Sequence, residues 1–381
     1  MTKTTPTLNF IDLFSGAGGL SCGLELAGMK CVLGVDMDKN AIETFKANHH
    51  YANAHCGSIV DLSAAKIREL TKGQEIHAVV GGPPCQGFST VGLGNPNDQR
   101  NMLFKEFIRV VKVTNPLYVV IENVTGLLAK KNEKTIQSIF SIFNKMGYTL
   151  DVQVMSAENY GVPERRRRTI IIGSRVHQHI TFPQMTNKVM TVGEAFKNLK
   201  APNGKYLNHD IEAAKIKSAI DLERIACVPE GKGVRYEADE KAYFKKKKLK
   251  LGVNWKELRE NRFRQTKYQR LDRKKPSPTI MTHRHNYFHP TENRYLTQRE
   301  AASLQSFPND FTFHGPLSAQ WRQIGNAVPP LLGKAIGSAI LSMHAEKSAA
   351  KKKTAKKSVG AKDLVLNVRK KAFLYKEATI S

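Results

Sequence analysis

The sequence predicts an α/β protein: a doubly wound, mostly parallel sheet with a second, smaller domain that is irregular and β-rich. Three observations carry this. Between residues 8 and 174, short runs rich in β-branched residues alternate with helical patterns, the rhythm of strands joined through crossover helices. The first run, LNFIDLF, opens directly into SGAGG, the glycine-rich chemistry of a strand turning into a helix beside a ligand. From about residue 176 to 293 the periodicity fades into polar and basic text such as YFKKKKLK and HRHNYFHP. The expected division is a first domain over 1–175, a second over 176–293, a returning segment over 294–345 that completes the first, and a basic tail over 346–381.

The composition narrows the function classes. At 381 residues the chain exceeds what one small core organises. A formal charge of +27 favours a polyanionic partner through steering and counterion release. No secretory leader and no apolar run long enough for a bilayer are expected, which points to a cytoplasmic protein. Five cysteines, at 22, 31, 56, 85 and 227 with no CxxC pair, exclude a disulfide framework and a structural zinc site. The His283–His285 cluster has no standard metal spacing, and no metal is expected.

In a parallel sheet, ligands gather beyond the carboxyl ends of the strands, so the residues after each run are the candidates. LNFIDLF leads into Phe14, Gly16, Gly18 and Gly19. KCVLGVD ends in Asp36, about twenty residues on, where an acid accepts hydrogen bonds from ribose hydroxyls. Because the turn is not a full GxGxxG, it suits a ligand without a pyrophosphate, S-adenosylmethionine ahead of a dinucleotide. HAVVGG leads into Pro83, Pro84 and Cys85, two rigid prolines before a thiol set among Gly, Pro, Gln and Ser rather than in apolar text. LYVVIEN delivers Glu122 and Asn123 to the same edge, and RTIIIGS is the fifth strand.

A thiol, an acid and a methyl donor suit alkylation of an unreactive pyrimidine carbon. Carbon 5 of cytosine is not nucleophilic, but a thiolate added at carbon 6 makes it enamine-like. A carboxylic acid at the adjacent ring nitrogen neutralises the developing charge. In duplex DNA the base must first be flipped out of the stack.

Over roughly residues 8 to 345 the chain resembles the bacterial DNA cytosine-5 methyltransferases, of restriction-modification systems or solitary. DLFSGAGGL is similar to their cofactor loop, VDMDKNA to the ribose segment, GGPPCQGFS to the nucleophile loop and ENV to the cytosine-binding strand end. YGVPERRRR resembles their arginine motif, and LTQREAASLQSFP and QIGNAVPP their closing motifs. The resemblance implies the S-adenosylmethionine-dependent methyltransferase fold, with Cys85 attacking, Glu122 holding the ring nitrogen and amino group, Arg168 orienting the flipped base and Arg166 nearby. Phe14, Gly16, Gly18, Gly19, Asp36, Met37, Ser58, Ile59, Pro84, Leu103 and Asn326 are implied around the cofactor, and Gln86, Ser89 and Arg100 on the loop that closes over DNA. Ser58 stands where the family has an acid, and Glu164 and Arg167 stand where its arginine motif has Gln and Glu.

By the same resemblance, residues 176–293 form a target-recognition domain, with His283, Arg284, His285 and Asn286 as base readers and lysines and arginines on phosphates. The low-complexity basic stretch beyond Glu346 reads from its composition as either a solvated tail or an extra electrostatic grip on nucleic acid. A monomer acting on double-stranded DNA, partnered by a restriction endonuclease, follows by analogy. A transfer-RNA cytosine-5 methyltransferase on the same scaffold is opposed by the missing CFT segment, and a non-catalytic DNA-binding regulator by the intact Pro-Cys and ENV. An NAD-dependent oxidoreductase leaves Cys85 and Glu122 unexplained.

Overall fold

The five predicted runs are strands, interleaved as expected with helices. In chain order they are β1 (Asn9–Leu13), α1 (Gly19–Leu26), β2 (Lys30–Asp36), α2 (Lys39–Asn48), β3 (Asn53–Cys56), α3 (Ala64–Leu70), β4 (Ala78–Gly81), α4 (Gln99–Thr114), β5 (Tyr118–Val124), α5 (Glu133–Lys145), β6 (Thr149–Ser156) and β7 (Arg167–Ser174). The computed structural model describes residues 7–84, 99–186 and 188–349. Two strands escaped the sequence reading, β3 and β6. β3 is four residues of polar text, and β6 alternates polar with apolar residues because both lie at the sheet's edges.

The seven strands run in the order β3-β2-β1-β4-β5-β7-β6. All pairings are parallel except those of β7, which is antiparallel to β5 and β6. Central strands are covered on both faces, which is why KCVLGVD and YVVIENV are nearly unbroken apolar runs. Helices supply the cover: α5 turns Ile136, Ile139, Phe140 and Phe143 inward at helical spacing. The strand order reverses between β1 and β4, so the crevice for a ligand opens beyond their carboxyl ends.

The chain divides into two compact units, one built from residues up to Tyr160, from Arg166 and the β7 stretch, and from Val328 onward, the other from Gly161–Arg165 and Lys188–Ala327. The second unit therefore takes in residues 294–327, which the sequence reading returned to the first domain. Contacts to residues 188–293 hold it there: Arg294 donates to Glu292 at 2.9 Å, Tyr295 N–H to the Ala214 carbonyl at 3.0 Å and Arg299 to the Leu207 carbonyl at 3.0 Å.

The second unit contains α6 (Val192–Ala195), α7 (Ile211–Ala214), α8 (Ala219–Cys227), β8 (Val234–Tyr236), α9 (Glu237–Phe244), β9 (Arg262–Lys267), β10 (Gln269–Arg270), β11 (Tyr287–Phe288), α10 (Gln298–Leu304) and α11 (Leu317–Asn326). Irregular it is, but β-rich it is not: its described strands are short and helical residues outnumber them. With few ladders available, arginine side chains satisfy loop carbonyls. Arg270 donates to the carbonyls of Ile225, Val228, His289 and Glu292, and the fully buried Arg299 to those of Leu207, Pro308 and Phe311. Part of the positive charge thus belongs to the interior rather than to a polyanion.

The chain returns to the first unit in α12 (Pro330–Ala349), which packs on α1 so closely that a Cβ on Gly23 would lie 2.3 Å from the Pro330 carbonyl oxygen. By length and composition the stretch Leu317–Glu346 is apolar enough to cross a membrane, which the sequence reading did not expect. It is two helices, broken after α11 where Ala327 turns extended, and 56% of its apolar window is buried.

Candidate active site

The turn after β1 is built on left-handed backbone. Phe14, Gly16 and Gly18 have φ of 60°, 54° and 90°. Such values cost a residue with a side chain energy, so Phe14 is the strained member. A Cβ on Gly16 would meet nothing within 4 Å, so open space rather than crowding lies beside it. The turn is pinned to β2: Gly16 N–H donates to Asp36 Oδ2 at 2.8 Å, and Asp38 N–H to Asp36 Oδ1 at 2.9 Å. Each Asp36 oxygen keeps a second lone pair for a hydroxyl. Met37, 69% exposed beside that carboxylate, offers an apolar surface for the flat face of a purine. Turn, acid and exposed thioether fit an adenosine-bearing ligand.

The other predicted cofactor residues divide. Gly19 starts α1, and Leu103 on α4 and Pro84 are half-buried. The Ser58 hydroxyl caps the next helical turn by accepting from Val60 N–H at 3.2 Å. The Ile59 side chain is in the core, and its carbonyl accepts from Arg109 at 2.9 Å. Asn326 ends α11 in the second unit.

Beneath the turn lies a residue that the sequence reading passed over. Asp12, fully buried on β1, accepts from Ser21 Oγ at 2.6 Å, and burial pushes its carboxyl up to about 7, with Asp36 adding repulsion against the Ser21 hydrogen bond. An acid whose folded pKa is raised releases its proton earlier when unfolded. Stability is therefore lost as pH rises from about 4 to about 7, by about 4 kcal/mol at most. Asp12→Asn should flatten that dependence in urea unfolding at pH 5 and pH 8; an unchanged slope would exclude Asp12 as its source.

The ladder between β4 and β5 ends at the pair Gly81–Ile121. Beyond it Pro83 and Pro84 have no N–H to continue it. The Asn123 side chain takes over, its Nδ2 donating to the Pro83 carbonyl at 2.9 Å while its Oδ1 accepts from Val124 N–H at 3.0 Å. Asn123, which the sequence reading brought to this edge without a role, is thus a site residue, as are Gly81 and Gly82, which it did not assign. A Cβ on Gly81 would lie 2.0 Å from the Leu13 carbonyl oxygen, and one on Gly82 would lie 3.0 Å from Glu122 Oε2. Two glycines before two prolines were the available signal for this close approach.

Glu122 pairs with Ile170 and Val124 with Arg168, so Glu122 and Arg168 are diagonal neighbours on adjacent strands. Arg168 Nε lies 2.8 Å from Glu122 Oε1. Burial raises the Glu122 pKa, while Arg168 and then the fully buried Arg166 pull it down. Burial outweighs the two arginines, and the Glu122 pKa stays above its ordinary value. Glu164, in the second unit, accepts from Ile280 N–H at 2.5 Å. Arg167 is exposed.

Cys85, Gln86 and Ser89 lie outside the described residues, and Arg100 falls in the first turn of α4. In the second unit, His283 and His285 are exposed and Arg284 and Asn286 half-buried. Arg284 donates to the Ala213 carbonyl at 2.5 Å and lies 5.5 Å from the centre of the Tyr295 ring. The His285 ring stands edge-on to Tyr295 at 5.1 Å. Among the described residues no His, Cys, Asp and Glu gather as a metal site.

Residues 8–342 match the family model of the C-5 cytosine-specific DNA methylases. The chain belongs to that family. It is a DNA (cytosine-5-)-methyltransferase with the methyltransferase fold of its structural neighbours. Type II methyltransferase M1.HphI of Haemophilus parahaemolyticus is 38% identical over 346 residues, spanning 89% of this chain and 88% of the relative. Type II methyltransferase M.DdeI of Desulfomicrobium norvegicum is 31% identical, spanning 87% and 88%. A prophage-encoded Escherichia coli protein, described as a candidate DNA modification methyltransferase, superposes with a TM-score of 0.69 at 27% identity, covering 89% of this chain and all of that one.

Proposed function

We propose that the enzyme methylates carbon 5 of a flipped-out cytosine within a defined double-stranded sequence, using S-adenosylmethionine and a covalent adduct at Cys85. The observation that carries this reading is the Glu122–Arg168 ion pair at the carboxyl edge of β5, beside the Pro83–Pro84 strand end. Bound at the Phe14–Gly19 turn, the cofactor supplies an electrophilic methyl group on a sulfonium. The Asp36 carboxylate would hold its ribose hydroxyls, and Met37 would cover its base.

The Cys85 thiolate adds to carbon 6, and the electron pair of the carbon 5–carbon 6 bond becomes available at carbon 5. Glu122 neutralises the charge arriving at the ring nitrogen, and Arg168 holds the Glu122 carboxyl in place for it. Carbon 5 would take the methyl group as the methyl–sulfur bond breaks and its electron pair stays on the donor's sulfur; the carbon 5 proton then leaves to a base, and expulsion of the thiolate restores the ring. The type II relatives support duplex DNA over transfer RNA, and support a restriction endonuclease as functional partner. The enzyme then works in the cytoplasm, as a monomer that treats each half of its site in turn.

Bisulfite sequencing of DNA from cells expressing the protein tests this reading. Protected cytosines confined to one short sequence context are expected; unprotected DNA would overturn it. A further prediction concerns Asn123, a positioning residue. Asn123→Ala should lower kcat roughly 10- to 100-fold while the DNA Kd stays near wild type, because the backbone before Cys85 loses its tether. Asn123→Asp, an acceptor where a donor is needed, should not restore it. Exchange of the carbon 5 hydrogen, which reads the addition step alone, should fall with kcat.

A further inference from the structure

Most arginines of the second unit are already spent on protein groups. Arg224 pairs with Asp221, Arg262 with Glu260, Arg273 with Glu230 and Arg294 with Glu292 and Glu300. Arg264, like Arg165 and Arg259, is exposed, and among the described residues no acidic group pairs with it; what sets it apart is its place on β9 beside a hollow. Its neighbours Gln265 and Lys267 are exposed too, and with Phe263 these residues line a hollow of about 450 Å³.

The strand that carries them is irregular at this place. β8 and β9 form an antiparallel ribbon in which Val234 faces Lys267 and Tyr236 faces Arg262. Two residue steps on β8 thus oppose five on β9, and the surplus on β9 falls within Phe263–Thr266. Bulges of this kind bend a strand and re-aim its side chains. The ribbon is nonetheless held firmly from behind. The Phe263 ring stands 4.9 Å from Trp255, in a small core with Phe244, Val234 and Ile225, and the Trp255 indole N–H donates to Glu240. Lys267 lies over the same Phe263 ring at 5.7 Å.

We propose that the β8–β9 ribbon is the base-reading element of this enzyme, entering the major groove of duplex DNA with Arg264 and Gln265 on base edges and Lys267 on a phosphate. A two-stranded ribbon fits that groove, and its side chains match the base edges found there, since Arg forks to guanine O6 and N7 and Gln pairs with adenine N6 and N7. Both side chains stand on a supported strand, as a reader must. The segment His283–Asn286 then has a different part. Its arginine is committed to the Ala213 carbonyl and Tyr295, and it buttresses the unit rather than reading sequence.

This inference rests on the proposed action on a defined duplex sequence, which the wild-type protein reports separately. The test compares wild type with Arg264→Ala, Gln265→Ala and Lys267→Ala, all at exposed positions, on a randomised duplex library with S-adenosylmethionine. Bisulfite sequencing reads the sites modified, and DNA affinity is followed against salt. Arg264→Ala and Gln265→Ala should each lower discrimination at one base pair about 10- to 100-fold, with the remaining positions kept. Lys267→Ala should weaken binding to all sequences alike and reduce the salt slope by about one. An unchanged set of modified sequences in both reader variants overturns the proposal. So does a uniform loss of affinity with a slope change of about one in each, which would make them phosphate contacts. Loss of all modification in a variant that melts like wild type would overturn it as well. Arg284→Ala is the control, expected to lower the melting temperature and leave the sequence preference alone. No modification by wild type itself would instead refute the parent reading.

Discussion

Cys85→Ser is expected to abolish methyl transfer while leaving duplex affinity near that of wild type. A serine hydroxyl stays protonated at neutral pH where a cysteine has an accessible thiolate, so the addition to carbon 6 loses its nucleophile. The loss should exceed about a thousandfold, because the remaining groups act on an adduct that no longer forms. A duplex containing 5-fluorocytosine separates this from a binding defect. Wild type should become covalently trapped, since fluorine cannot leave carbon 5 as the proton does, and the serine variant should bind without cross-linking. A variant that methylates at the wild-type rate would sink the mechanism.

The second large effect is at Glu122. Glu122→Gln keeps the shape and removes the proton, and a loss of about 10²- to 10⁴-fold in kcat is expected for a general acid. The pH dependence carries the sign. Burial raises the Glu122 pKa, so the neutral acid persists above the ordinary carboxylate range and is lost as pH rises through that raised value. kcat/KM of wild type should fall along this limb, and the glutamine variant should lack it. Arg168→Ala removes the charge that pulls the pKa down and should move the limb to higher pH. A limb that stays in place in both variants would assign the titration to another group.

These expectations draw unequally on sequence and structure. The five strands were readable because buried parallel strands are continuous β-branched runs, and their ends announced Phe14, Asp36, Pro84 and Glu122. The roles of Cys85 and Arg168 came with the ordered motifs around them. β3 and β6 were not readable, since an edge strand carries polar residues like those of a loop. Ser58 read as a cofactor contact, and its hydroxyl also accepts from Val60 N–H while keeping its own proton to donate. That second bond depends on where Val60 N–H points, which no spacing encodes. Asp12 was passed over, and Asn123 was brought to the edge without a role, for a similar reason: a buried acid and a tethering amide differ from ordinary ones only in their surroundings.

The basic charge illustrates the division best. From sequence alone every lysine and arginine of the second unit was a possible phosphate contact. Folding assigned Arg270 and Arg299 to loop carbonyls and Arg294 to Glu300, and left Arg264 without an acidic partner, among the described residues, on a bulged strand. Sequence by itself determined the five inner strands of the sheet and the family, and pointed to the chemistry at their carboxyl edge, because hydrophobic period, glycine turns and motif order are local properties. Only tertiary structure decided which charges are free, which carboxyl is pushed toward neutrality and which amide holds the backbone before the nucleophile. Burial and pairing are set by residues distant in the chain.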